Sequence, residues 1–374
     1  MTDDAAILII NDSETDSDLY YATRFHVGGP IPYVQLNGKS YLLVNDLEYG
    51  RAGSEARVGE VISTTHYEEK LRSKDEPVSL VGVVDLFLQE HGCRRLQVPA
   101  SLAFGYAEGL RKAGYELEIK PDPFIPERTV KTTEEIRYIE TMQEHAEEAM
   151  GLAVELLKQS KVHDGQLWIN GSPLTSEHVR VEMQKLLLER GCEASLIIVA
   201  GGDQAADPHQ RGFGPLPASQ TIIIDVFPRS LENHYWGDMT RTFVRGHATA
   251  EAKKLFDDVL VAQERALSLI RDGVNGQDVH NAVVESFQKS GNENGEKNGK
   301  KVGFIHTTGH GVGLDIHELP RLGRQPSPLE AGHVVTVEPG LYYPGVGSVR
   351  LEDLVVVTED GCRNLNRFPK ELEI

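Results

Sequence analysis

Four acidic side chains sit where the surrounding chain is built from apolar strand formers. Asp225 closes the run Thr221-Ile222-Ile223-Ile224, and Asp238 opens Met239-Thr240-Arg241-Thr242-Phe243-Val244. Glu338 closes Val334-Val335-Thr336-Val337, and Glu352 lies between Val349-Arg350-Leu351 and Leu354-Val355-Val356-Val357. A carboxylate in or at the end of a buried strand is costly to desolvate unless it is paired or bound to a metal. Taken singly, each could cap a strand or pair with an arginine such as Arg241 or Arg350. Four of them between positions 225 and 352 point to a shared task.

Histidines join the acids. Gly309-His310-Gly311-Val312-Gly313 sets a histidine among glycines that permit close backbone approach, and His317-Glu318 follows. A phosphate cradle is a poor reading of this run, because no amphipathic helix follows Gly313 and no Walker lysine is present. His209, after Gly201-Gly202 and Pro208, is by itself more readily structural than functional. Two Asp, one His and two Glu form a set rich in oxygen donors, suited to two hard or borderline divalent ions such as Mn²⁺, Co²⁺ or Zn²⁺. Two such ions about 3.5–4 Å apart can hold a hydroxide, polarise a carbonyl and clamp an oxyanion. That is the chemistry of amide hydrolysis.

The elements that must position these residues are legible in outline. Ile31–Leu36 and Ser40–Val44 read as strands joined by the turn Asn37-Gly38-Lys39. Val78–Gln89 has a helical apolar face, Leu96–Val98 is a short strand, Leu102–Ala113 a helix and Leu117–Lys120 a strand. This alternation implies a sheet covered by helices. Pro121, Pro123 and Pro126 break regular structure and place a domain boundary there, giving domains 1–124 and 125–374. Thr132-Thr133-Glu134-Glu135 has capping-box spacing and opens a helix expected to reach Gln159.

Beyond it, helices near 175–190, 250–271 and 276–289 alternate with strands at 195–200, 220–225, 239–245, 302–306, 333–338 and 348–357. Helices followed by strands occur twice, a hint of internal duplication. Ser290–Lys301, polar and rich in Gly and Asn, reads as a flexible surface loop.

The segments Asp238-Met-Thr-Arg-Thr-Phe243, Thr308-Gly-His-Gly-Val-Gly-Leu314 with His317-Glu-Leu-Pro320, Thr336-Val-Glu-Pro-Gly-Leu-Tyr342 and Val349-Arg-Leu-Glu-Asp353 resemble signatures of the pita-bread metallopeptidases. The chain from about 125 onward is similar to that family. The first 120 residues, including Asp18-Leu-Tyr-Tyr-Ala-Thr-Arg-Phe25, look like a creatinase-type N-terminal domain, which selects the proline-directed branch of Xaa-Pro aminopeptidases and prolidases. The resemblance implies a two-domain α/β fold: a three-layer N-terminal domain and a pita-bread domain with an internal pseudo-twofold repeat. It implies Asp225, Asp238, His310, Glu338 and Glu352 as ligands of two divalent ions, Mn²⁺ first and Co²⁺ or Zn²⁺ as alternatives, with Asp238 and Glu352 bridging.

By the same resemblance Glu338 is the general base, His209 and His317 contact substrate, and Arg350 pairs with a metal carboxylate or a substrate group. The implied activity is hydrolysis of Xaa-Pro bonds through a metal-bridging hydroxide, by an aminopeptidase or a dipeptidase, in a homodimer. A hydrolase of a non-peptide C–N bond and a non-catalytic binding protein on the same fold are the alternatives. The chain departs from the family at Asp225-Val-Phe-Pro228, at Gly202-Asp203-Gln204 and at Gln210, and twelve residues separate Asp225 from Asp238. Those departures touch the expected pocket wall and a longer hairpin tip, not the expected ligand set.

Composition narrows the partners. With 57 Asp and Glu against 38 Lys and Arg, the net charge of -19 argues against nucleic acid and against an anionic membrane surface. No window reaches the roughly 18 apolar residues of a membrane span, and Met1-Thr2-Asp3-Asp4 is acidic where a secretion signal would be basic. The scattered Cys93, Cys192 and Cys362 suit neither a disulfide framework nor a thiolate metal site. A cytoplasmic enzyme acting on a proline-containing peptide is the expectation.

Overall fold

A computed structural model describes residues 5–297 and 299–374 of the chain; the acidic stretch Met1–Asp4 and Asn298 of the polar segment lie outside the described residues. The chain separates into two compact units, Met1–Arg128 and Thr129–Ile374.

The first unit is a mixed six-stranded sheet of β1 (Ala6–Asn11), β2 (Ile31–Leu36), β3 (Lys39–Val44), β4 (Glu60–Ser63), β5 (Arg95–Pro99) and β6 (Glu116–Lys120), in the order β4-β3-β2-β1-β5-β6. Side chains alternate across a strand, and both faces here are apolar. Leu8 and Ile10 join Val83, Phe87 and Leu110 of the helices Leu80–Glu90 and Phe104–Lys112. Ile9 and Leu42 join Leu19 and Ala52 of Ser17–Thr23 and Asp46–Glu55. Helices therefore cover both faces, making three layers. The β2–β3 turn has positive φ at Asn37 (52°) and Gly38 (74°), the backbone that a type I′ hairpin requires.

The second unit opens with the capping box. Glu135 N–H donates to Thr132 Oγ1 at 3.3 Å, and Thr132 N–H donates to Glu135 Oε2 at 2.8 Å. The helix runs Thr133–Gln159, and Ser176–Glu189 packs beside it on an antiparallel sheet of β7 (Ile198–Gly201), β8 (Ile222–Val226) and β9 (Met239–Phe243). Helices Ala250–Leu267 and Gly276–Lys289 then precede β10 (Gly309–Gly311), β11 (Glu318–Leu322), β12 (Val334–Val337), β13 (Gly340–Tyr343), β14 (Gly347–Arg350), β15 (Asp353–Val357) and β16 (Cys362–Asn364). Five of these form a sheet in the order β11-β10-β12-β15-β16, and β13 pairs with β14. Two helices followed by a sheet thus occur twice.

Strand parity sorts the residues. Ile222, Ile224, Val226, Met239 and Phe243 enter the core under the first helix pair. Val335, Val337, Val349, Leu351, Val355 and Val357 enter the core under the second. Residues of the opposite parity, Asp225, Asp238, Thr240, Thr336, Glu338, Arg350 and Glu352, face away from the helices.

Three expectations need correction. The strand expected over 348–357 is broken: Leu351 and Glu352 leave the ladder, and Glu352 N–H bonds to Thr240 O at 3.1 Å. The strand expected at 302–306 covers only Lys300–Val302, because Gly303 turns the chain at φ 92°. Ser290–Lys301 is not all loop, since Gly295–Lys297 and Lys300–Val302 pair as an exposed antiparallel hairpin. Glycine and asparagine suit a tight hairpin turn as well as a loop. Among the described residues no helix is long and apolar enough to cross a membrane.

Candidate functional site

The inward parity positions of both halves line one cavity of about 740 Å³. Its walls include Asp225, Asp238, His310, Glu338, Arg350 and Glu352 together with His209 and His317. The five expected ligands and the three residues expected to contact substrate or support the site are therefore brought to one place. Asp225 comes from β8, Asp238 directly precedes β9, His310 lies in β10, Glu338 directly follows β12, and Glu352 lies in the break between β14 and β15.

Close backbone packing makes this convergence feasible. A Cβ on Gly309 would lie 1.9 Å from Thr336 O, and one on Gly311 2.4 Å from Leu319 O. No other residue lets β10 sit so near its neighbours.

The acids crowd. Ligand atoms of Asp238, His310 and Glu352 all lie within 4.8 Å of one another. His310 Nε2 is 3.3 Å from Glu338 Oε1 and 3.8 Å from Asp238 Oδ2. Burial raises the pKa of Asp238 and Glu352 well above ordinary values, and repulsion from the neighbouring carboxylates adds to it. Asp225 is also raised by burial, with Arg350 opposing. Burial acts on Glu338 in the same sense. There, however, the hydrogen bond and charge of His310, then His306 and Arg350, prevail and bring it to about 2.

A cation resolves this crowding. His310 Nδ1 is 3.1 Å from the Gly311 carbonyl, which can only accept, so Nδ1 carries hydrogen. A neutral ring then turns its Nε2 lone pair toward two carboxylates. That contact is favourable only with a cation between them or a second proton on the ring. Asp225 Oδ1 is buried without a hydrogen-bond partner. An orphaned carboxylate oxygen beside clustered acids and one imidazole is the donor set that divalent ions take.

Arg350, expected from the sequence, holds the site from behind together with Thr240, Tyr342 and His306, which carried no expected role. Arg350 Nη2 reaches Asp225 Oδ2 at 2.6 Å, Nε reaches Thr240 Oγ1 at 3.1 Å, and Nη1 reaches Tyr342 OH at 3.0 Å and Pro208 O at 3.3 Å. Thr240 Oγ1–H in turn donates to Glu352 Oε2 at 2.8 Å. Tyr342 OH, accepting from Arg350, donates to His306 Nε2 at 2.9 Å, while His306 Nδ1–H meets Thr307 O at 2.7 Å. Burial lowers the pKa of His306 and so favours the neutral ring, the form in which Nε2 accepts from Tyr342. Thr240 was signalled by sharing the parity of Asp238, and Tyr342 lies in the Glu338 segment. His306 carried no sequence signal beyond its type. Arg241, considered as a partner for one of the four acids, pairs instead with Asp353 at 2.9 Å.

At the cavity mouth His317 stands edge-on to His310, with ring centroids 4.4 Å apart at 86°. Partial burial, then the charges of His310 and Arg321, lower its pKa to about 4. His209 is exposed beside it, its N–H bonded to Asp207 Oδ1 at 3.3 Å. Leu196, Ile198, Phe227, Ile305 and Ile316 supply an apolar wall, and Arg211 and Arg321 supply cations.

Comparison with known proteins decides the family. The profile of metallopeptidase family M24 matches residues 137–359. The chain belongs to metallopeptidase family M24. As an M24 protein it is a metal-dependent peptidase of the pita-bread fold. It is 29% identical over 360 residues to the Xaa-Pro dipeptidase of Pyrococcus furiosus, covering 94% of this chain and 91% of that one. The prolidase structure from Pyrococcus horikoshii matches with a TM-score of 0.79 and 26% identity over 98% of this chain and 95% of that chain. The Xaa-Pro dipeptidase structure from Bacillus anthracis shares the fold, with a TM-score of 0.82 at 24% identity over 99% and 95% of the two chains.

Proposed function

We propose that this M24 peptidase is a dinuclear-metal exopeptidase that hydrolyses Xaa-Pro dipeptides. In this reading residues 1–124 form the creatinase-type N-terminal domain and 125–374 the catalytic domain, and the protein is a cytoplasmic homodimer. The observation that carries the chemistry is the convergence of Asp225, Asp238, His310, Glu338 and Glu352 on one cavity, with Asp238 and Glu352 buried among other carboxylates that raise their pKa. These five residues would hold two divalent ions, Mn²⁺ before Co²⁺ or Zn²⁺.

Bound there, the ions would supply Lewis-acid polarisation of the scissile carbonyl and a water acidic enough to attack at neutral pH. Glu338, which stays ionised, accepts the proton of the attacking water. His317, largely neutral at pH 7, and His209 donate hydrogen bonds to the substrate carbonyl and its developing oxyanion. Arg350 holds Asp225 and, through Thr240, steadies Glu352.

Proline enters through shape. Its tertiary amide has no N–H and constrains the preceding residue, so the apolar wall of Ile305, Ile316 and Phe227 suits a pyrrolidine ring without needing an amide acceptor. Arg321 beside that wall supplies a cation for the free carboxylate that only a dipeptide places next to proline. This supports the dipeptidase over the aminopeptidase, as does the Pyrococcus furiosus relative's own activity as named.

The test is to strip metal with a chelator, restore Mn²⁺ or Co²⁺, and assay an Xaa-Pro dipeptide beside an Xaa-Pro-Yaa tripeptide. Metal-restored cleavage of the dipeptide is expected. Cleavage of the tripeptide alone would overturn the dipeptidase assignment, and cleavage of neither would overturn the proline-directed reading.

A further inference from the structure

One buried ion pair in the catalytic unit has no part in the chemistry above. Lys131 Nζ bonds to Glu318 Oε1, and both side chains are almost wholly shielded, at 0% and 2% exposure. Lys131 also donates to Thr129 O at 3.0 Å. Two charges in such a place have a desolvation cost that their attraction seldom exceeds, and packed apolar residues can replace such pairs without loss of stability. Stability alone therefore gives no reason for the pair.

Its location does. Glu318 begins β11 directly after His317 and pairs across the sheet with Gly311, next to His310. The turn from Val312 to His317 wraps around its carboxylate. Asp315 N–H points to Glu318 Oε2 at 3.5 Å, and a Cβ on Gly313 would lie 2.6 Å from Glu318 Oε1. Trp236, in the segment between Asp225 and Asp238, grips the same turn with its N–H on Gly313 O at 3.0 Å and its indole N–H on Leu314 O at 3.0 Å.

Lys131 in turn is anchored where it cannot drift. Its N–H bonds to Gly332 O at 2.9 Å, and Val130 bridges to His333 at the head of β12. The ammonium thus links the frame of β12, which ends at Glu338, to the turn that carries His317.

We propose that Lys131 and Glu318 are positioning residues: the pair sets the 312–317 turn so that the His317 imidazole stands over the reacting carbonyl. This rests on the reading that His317 contacts substrate. A pair that held the ring only loosely would leave binding largely intact and weaken the interaction made in the transition state, so the loss should fall on kcat.

The experiment uses the metal-loaded full chain and an Xaa-Pro dipeptide, with Lys131→Met, Glu318→Gln, the apolar pair Lys131→Met/Glu318→Leu, and His317→Ala as reference. Single variants leave one buried charge unpaired and can misfold, so the apolar pair is the decisive protein. It should melt near the parent, keep its metal content by elemental analysis, and lose about 10–100-fold in kcat with KM little changed. Added to His317→Ala, it should slow the enzyme no further, because the ring it positions is gone. A folded apolar pair with parental kcat would overturn the proposal, and so would a loss that multiplies with that of His317→Ala. If His317→Ala itself kept parental kcat, the role given to His317 would fall, and the pair's role with it.

Discussion

The two faces of β9 and of the chain at Glu352 and Asp353 hold buried charge in different ways. On the helix side, Asp353 meets Arg241 at 2.9 Å, Lys370 at 2.6 Å and the Asn364 amide at 2.7 Å. Burial would raise its pKa, but Arg241 and Lys370 outweigh burial and lower it. One residue earlier, on the cavity side, Glu352 has the Thr240 hydroxyl at 2.8 Å and other carboxylates around it. Its pKa is driven up by burial and by Glu338 and Asp225. Neighbours in sequence thus carry opposite perturbations. Asp353 is neutralised by this chain's own cations, and its cluster is a structural joint. The Glu352 cluster keeps a negative excess that a bound cation must complete, and that excess marks a functional site.

Glu352→Gln should have the largest effect. It removes a proposed metal ligand, and since a bound ion's charge stabilisation is worth several kcal/mol, kcat/KM should fall by about 10³-fold or more. Calorimetric titration with Mn²⁺ should show weakened metal binding. The metal-free variant should melt no lower than the parent, because one of the repelling buried acids is gone. A variant that stayed active would contradict the contrast between the two faces.

Asp353→Asn should do the reverse. Breaking a buried pair costs about 3–5 kcal/mol, visible as a lower urea midpoint, while activity per folded molecule changes far less. The pH dependence sharpens the point. Because the folded pKa of Asp353 is lowered, its contribution is complete above its ordinary 3.8 and is lost as pH falls below that value. The stability gap between parent and Asp353→Asn should close there. For Glu352, whose pKa is raised, ionisation is a burden that grows as pH rises above 4.5 in the chelated protein. The gap to Glu352→Gln should open in that direction. Parallel pH curves for the two gaps would refute the distinction.

Thr240→Val is the smallest change. It removes the hydroxyl that accepts from Arg350 and donates to Glu352. Loss of such an orienting contact should cost about 10–100-fold in metal affinity or activity. Since Thr240 is on the cavity face, the urea midpoint should move less than for Asp353→Asn.

How far the sequence foresaw this depends on the range of each signal. The capping box at Thr132, the Asn37-Gly38 turn and the four acids set in or at the ends of apolar strand runs are local patterns, and local patterns survive reading without a fold. Arg241 and Arg350 looked equivalent as partners, because both sit in strand-like runs within three positions of an acid. Strand parity separates them: Arg350 shares the parity of Glu352, and Arg241 shares that of Met239 and Phe243. The relay from Arg350 through Tyr342 to His306 joins three strands or loops. The Lys131–Glu318 pair spans 187 positions. No periodicity encodes contacts of that range. The break at Leu351–Glu352 was hidden for a related reason: valines and leucines on both sides of Glu352 make the run look like one strand, and the reach of Glu352 N–H to Thr240 O interrupts it.

The parity of the strands has a consequence for how this chain can drift. Along 222–226, 239–243 and 334–337, neighbouring codons answer to different demands, one to soluble yield and the next to turnover. A saturation library scored separately for abundance and for catalysis should show two interleaved stripes along each strand, out of phase by one residue. Laboratory evolution could then improve expression along one stripe and retune the substrate along the other, with little interference between them.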